Sequence, residues 1–150
     1  MSYTIVIPAR YHSTRLSAKP LQQIQGQALI EYTYNNAIQT QAKQVIIATD
    51  HPKIRDACHA FNANVVMTPS SITTGSDRVS VAAKLLDLKS DEIIINLQGD
   101  EPLLTAGAID NLYEFHQKHN FFMSTLFYRN QDMNQFNHNS TVKVIFDSQN

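Results

Sequence analysis

Short runs of β-branched and apolar residues alternate along this chain with longer stretches whose apolar positions recur every three or four residues. Runs at 3–8 (YTIVIP), 44–49 (QVIIAT), 64–68 (NVVMT), 91–97 (DEIIINL), 121–128 (FFMSTLFY) and 141–147 (TVKVIFD) predict strands. Between them, 28–41, 51–61, 76–88 and 105–118 carry helical spacing. Ser76 and Thr105 are placed as N-caps, and Pro52 in a first turn just after Asp50. Near-continuous apolar strands alternating with helices predict an α/β fold with a Rossmann-like, mostly parallel sheet and helices on both faces. Right-handed crossovers would set the strands' carboxyl ends along one edge, where ligands of open α/β sheets bind. Polar segments follow the first four runs: ARYHSTR, TDHP, TPSS and QGDEP. Residues far apart in sequence are therefore expected to converge.

Composition narrows the class. At 150 residues the chain fits one domain with a real core, and 43% hydrophobic with 17% charged content reads as an ordinary soluble globular protein. A net charge of −1 gives no electrostatic case for nucleic acid or a membrane surface as partner. Cys58 stands alone, which excludes an intrachain disulfide and suggests no Cys-based metal site, and its helical setting reads as a small buried hydrophobe. No apolar run approaches the roughly 18 residues of a membrane span, and no signal-peptide pattern opens the chain, so the cytoplasm is the expected location. The strand-like run at 141–147 has nothing after it to cover it, so an amino-terminal portion of a longer polypeptide is expected. His116 and His119 read as solvated, YEFHQKHNFF as core and edge, and Ser13, Thr14 and Asp50 make no hydrolase triad.

Three constellations carry candidate chemistry. Segment 5–20 (IVIPARYHSTRLSAKP) holds Arg10, Arg15 and Lys19, and the first acid of the chain is Glu31. No glycine lies between residues 1 and 25, so the loop is neither a Walker A motif nor a dinucleotide fingerprint. An anion there must be held by side chains, the Arg fork and the Lys point charge. A triphosphate is one reading of this spacing, and three solvated surface charges is the other; Tyr11 and His12 read as lip residues. The second constellation, IIINLQGDEP, delivers Asp100 and Glu101 at a strand's end. That placement suits Mg²⁺, which takes one or two carboxylates with water and phosphate oxygens. Asp100 is the chosen ligand, with Glu101 as support or surface. In the third, TTGSDRVS (73–80), Gly75 permits close approach, and free amides at a helix start bind anions or polar base edges. Arg78 could reach the same cleft from the first turn.

Taken in order, IPARYHSTRLSAKPL, IIATD, TGSDR, LQGDEP and VKVIFD resemble the cytidylyltransferases that activate 3-deoxy-manno-octulosonate (Kdo), over residues 4 to about 147. The resemblance implies a nucleotide-diphospho-sugar-transferase type of fold, with this chain as the nucleotide-binding part of a longer enzyme. It implies transfer of cytidylyl from CTP to Kdo, giving CMP-Kdo and pyrophosphate for lipopolysaccharide. By position, Pro8, Ala9 and Arg10 would lie against the nucleotide. Arg10 and Lys19 would hold phosphates, with Arg15 near phosphate and acid sugar. Gly75, Ser76, Arg78 and Gln98 match the nucleoside side, and Asp100 a Mg²⁺ ligand. The resemblance further implies a homodimer at full length, with the second metal carboxylate and much of the sugar pocket beyond residue 150. A related acid sugar, such as 8-amino-Kdo or a nonulosonate, and a non-catalytic nucleotide-binding module stay open. The family usually has Pro-Gly where this chain has Ser17-Ala18, and alanine at a positive φ there would cost on the order of 1 kcal/mol. The whole reading expects Lys19 and Asp100 to share one crevice.

Overall fold

The computed structural model describes residues 3–12, 16–138 and 141–145. At its centre β1 (Tyr3–Ala9) pairs in parallel with β4 (Gln44–Thr49) on one side and β6 (Ile93–Asn96) on the other. β5 (Asn64–Met67) extends the sheet beyond β4, giving the order β5-β4-β1-β6, all parallel. Because side chains alternate faces along a strand, β1 feeds two cores. Tyr3, Ile5, Ile7 and Ala9 join the larger, with Ile30 and Tyr34 of α1 (Leu29–Ala37), Ile54 and Cys58 of α2 (Pro52–Ala60) and Ile109 of α4 (Ala106–His119). Val6 and Ala48 join the smaller, with Val79 and Ala82 of α3 (Gly75–Leu85). Helices thus cover both faces, which explains why these strands read as continuous apolar runs.

Between β1 and α1 the chain makes a 3₁₀ turn at Lys19–Leu21 and a small hairpin of β2 (Gln23–Ile24) and β3 (Gln27–Ala28). Gln25 and Gly26 close the hairpin at φ 51 and 84, the pair of positive angles a two-residue type I′ loop demands. The pattern of apolar positions does not predict this hairpin. Short α5 (Met133–Asn137) completes the described elements.

Two expectations need correction. Residues 121–128 form no strand, and 142–145 form none either; 146 and 147 lie outside the described residues. Phe122 and Ile145 are 103% and 92% exposed, so the aromatic run after α4 is no core. Both stretches have strand-like composition, but strand propensity is realised only against a neighbouring strand and a packed face. The other correction concerns the cap of α3. Thr74, not Ser76, is the N-cap, its hydroxyl accepting from Asp77 N at 3.1 Å. Thr105 caps α4 as expected, and Pro52 opens α2 behind an N-cap at His51.

Candidate functional site

The parallel register puts the loops after β1, β4, β5 and β6 on one edge of the sheet. There Lys19 Nζ donates to Asp100 Oδ2 across 81 positions of sequence. The two side chains are 45% and 44% exposed, so the pair is solvated and worth roughly 0–1 kcal/mol. Backbone geometry aims Lys19 at this point. Ala18 sits at φ 53, ψ 30, its N–H donating to Tyr11 O at 2.7 Å and its carbonyl accepting from Leu21 N at 2.8 Å. That left-handed residue turns the chain back and starts the 3₁₀ turn carrying Lys19.

Helix α1 fixes the opposite wall. Thr33 Oγ1 donates to Gly99 O at 3.1 Å, and Asn36 Nδ2 to Pro102 O at 2.7 Å, holding the acidic turn at both shoulders. Gly99 is forced by proximity. A Cβ there would lie 2.9 Å from Ile30 Cδ1 and 3.2 Å from Pro8 O. On its other side Pro8 faces Gly75, whose added Cβ would meet Pro8 Cγ and the Gln98 amide at 3.4 Å. Gln98 Nε2 donates to Asn96 Oδ1 at 3.2 Å, and Asn96 Nδ2 reaches Ser76 Oγ at 3.5 Å. Pro8, Gly75, Ser76, Gln98 and, through Gly99, Asp100 therefore form one group. Ala9 is buried in the larger core.

Residues 4–150 match the profile of the family described as Cytidylyltransferase. The chain belongs to the cytidylyltransferase family. It is 49% identical over 112 residues to a 3-deoxy-manno-octulosonate cytidylyltransferase of Cellvibrio japonicus, covering 75% of this chain and 44% of that protein. It is 38% identical over 151 residues to an 8-amino-3,8-dideoxy-manno-octulosonate cytidylyltransferase of Shewanella pealeana, covering 99% of this chain and 62% of that one. A solved structure of CMP:2-keto-3-deoxy-manno-octonic acid synthetase complexed with CTP superposes with a TM-score of 0.72 at 35% identity, covering 80% of this chain and 49% of that one. The chain thus spans about half the length of the curated relatives it matches.

Arg10 stands apart from the Lys19–Asp100 pair. Its Nη1 donates to Thr73 O at 3.2 Å across the mouth of a cleft of about 300 Å³, lined also by His12, Asp50, His51, Ser70 and Ile72. Lys19 and Asp100 do not line that cleft, so Arg10 is the predicted site residue on it. Tyr11 stacks on His51, ring centroids 3.9 Å apart at 16°, and His12 meets both rings edge-on, forming the cleft's lip. Arg15 lies outside the described residues.

Arg78 departs from expectation most. Its side chain is 2% exposed, and its guanidinium pairs with Asp50 Oδ2 at 3.0 Å while donating to Thr68 Oγ1 and, at 2.9 Å, to Ile72 O. Every bond it makes is internal, so it offers the nucleoside cleft no exposed surface. From the sequence Asp50 was assigned no role at the site, and Thr33 and Asn36 were not singled out. The usable signal was a Thr and an Asn falling on the same turn-by-turn spacing as buried Ile30.

The acid set fits a hard cation only in part. Among the described residues no group of three or more His, Cys, Asp or Glu could hold a metal ion. Asp100, exposed at a strand's end, fits an ion that takes one carboxylate and completes its shell with phosphate oxygens and water. Among the described residues no helix is long and apolar enough to cross a membrane.

Proposed function

We propose that this chain is the nucleotide-binding portion of an enzyme that transfers the cytidylyl group of CTP to the anomeric hydroxyl of Kdo, releasing pyrophosphate. The supporting observation is the meeting of Lys19 and Asp100, a phosphate-type cation and a metal-type acid, on the strand edge where α/β sheets bind ligands. Arg10 and Lys19 would gather the triphosphate, relieving the repulsion of setting an acid sugar beside it. Both cations would stabilise the charge that develops as the sugar hydroxyl attacks the α-phosphorus in line. Pro8, Gly75, Ser76 and Gln98 would wall the nucleoside, with Gly75 letting it approach the helix start closely. Asp100 would hold Mg²⁺, which when bound neutralises charge on transferring and leaving oxygens. Lys19 pairs with Asp100, so an ion held by Asp100 would leave the Lys19 ammonium free to meet phosphate. The Shewanella relative favours 8-amino-Kdo as a second sugar. Cytoplasmic synthesis for lipopolysaccharide by a homodimer belongs to the same reading.

The test is pyrophosphate release from CTP with Kdo and Mg²⁺, using full-length protein and an Asp100→Ala variant. Release by the parent and its loss in the variant is the expected result. Release that ignores Asp100 refutes the metal assignment, and CTP binding without release favours a non-catalytic nucleotide module. CTP should also outcompete ATP in a binding titration.

A further inference from the structure

Asp50 and Arg78 have no place in the chemistry above, yet they are the most deeply buried ion pair among the described residues, 10% and 2% exposed at the side chain. Their location is unfavourable on two counts. Arg78 stands in the first turn of α3, where the helix dipole repels a cation. Removing both charges from water also costs several kcal/mol per ion, and well-packed apolar residues of similar volume are often as stable. A pair retained there is poorly explained by stability alone. It supplies directed bonds to two separate loops, at Tyr11 after β1 and at Thr68 and Ile72 after β5, which apolar residues cannot.

Those bonds close a circuit around Arg10. Asp50 Oδ1 accepts from the backbone N–H of Tyr11, next to Arg10, at 3.1 Å. Asp50 Oδ2 accepts from Arg78, whose guanidinium also donates to Ile72 O, next to Thr73. Thr73 O in turn accepts from Arg10 Nη1 at 3.2 Å. At its far side the guanidinium reaches Thr68, whose own hydroxyl donates to Thr49 O at 3.1 Å, anchoring the strut in the sheet. Both the backbone that carries Arg10 and the carbonyl that receives its fork are therefore set by one buried pair.

We infer that Asp50 and Arg78 are positioning residues for Arg10, holding it across the cleft mouth in the orientation that meets phosphate. The inference rests on the reading of Arg10 as a nucleotide contact. The test uses full-length protein and Arg78→Lys, which keeps the charge beside Asp50 but cannot reach Thr68 and Ile72 together. Amide exchange at Tyr11 should quicken about tenfold or more with no nucleotide present, as expected when a buried hydrogen-bond network loosens locally. CTP affinity should fall about tenfold, and Arg10→Ala should then cost less than about twofold further, because residues acting through one network are non-additive. Unchanged Tyr11 exchange in a folded Arg78→Lys protein, or losses that multiply, would overturn the inference. If Arg10→Ala leaves CTP affinity unchanged in the parent protein, the nucleotide reading of Arg10 fails instead, and Tyr11 exchange still decides whether the strut sets this loop. Should Arg78→Lys not fold, Thr68→Val removes the two bonds through the Thr68 hydroxyl that anchor the strut in the sheet, with the same directions expected at smaller amplitude.

Discussion

Replacing Ala18 by glycine should stabilise this protein, against the usual direction of an alanine-to-glycine change. Ala18 sits at φ 53, ψ 30, where its Cβ crowds the following carbonyl. The conformation is pinned from both sides by the bonds to Tyr11 O and from Leu21 N, so the loop cannot relax out of it. Glycine removes about 1–2 kcal/mol of that crowding. Against this, a freer unfolded chain subtracts about 0.4–1 kcal/mol. The net gain is about 0.8 kcal/mol, or about 2–3 °C in Tm for a chain of this size. Ala57→Gly, inside α2, is the control and should lose about 1 kcal/mol. Paired urea melts, read as midpoint shifts at constant m, resolve a difference of about 2 kcal/mol between the variants. If Ala18→Gly destabilises alongside Ala57→Gly, the left-handed turn ahead of Lys19 is wrong.

Three further outcomes follow from the same contacts. Gly99→Ala drives a methyl to 2.9 Å from Ile30 Cδ1 in a filled core and should cost about 1–3 kcal/mol in a urea melt; a change under about 0.5 kcal/mol would contradict the packing. Lys19→Met frees Asp100, so Mn²⁺ titrated into nucleotide-free protein and followed by EPR should bind about threefold tighter. The same variant should lose about tenfold or more in CTP affinity, and no gain for Mn²⁺ would count against the shared point. Burial first, with help from Glu31, pushes the Cys58 thiol up to about 12, and burial with the Asp110 hydrogen bond pushes Tyr3 to about 12. The folded chain then holds more protons than the unfolded one above the ordinary values of 9.0 and 10.0, so stability present at lower pH falls as pH rises towards 12. A melting temperature flat from pH 8.5 to 11, at roughly the span where those protons leave the unfolded chain, would refute this.

The sheet was legible in the sequence because its strands are covered on both faces and so are apolar at nearly every position. Val45, Ile46, Ile47 and Ala48 all have a core to enter. The runs at 121–128 and 142–145 have the same composition but, among the described residues, no strand beside them, and local propensity cannot report that. The cap of α3 was misread because Thr73, Thr74 and Ser76 all carry capping hydroxyls, and only geometry shows that Thr74 faces Asp77 N. Lys19 and Asp100 were legible as one of three cations in a loop without an acid and as a strand-end acid, since each lacked an opposite charge nearby in sequence. Asp50 was not, because an acid following a strand reads as a turn former until Arg78 is seen buried against it. The resemblance put Arg78 on the nucleoside side, and a position in a motif does not say which way a guanidinium points.

The most direct trial of the shared crevice is a crystal structure of the protein with CTP and Mn²⁺, the ion located by its anomalous signal. The expected result is an Mn²⁺ peak bonded to Asp100 and triphosphate oxygens, with Lys19 Nζ moved from Asp100 to phosphate. A triphosphate seated away from Lys19, or an ion that does not touch Asp100, would contradict it.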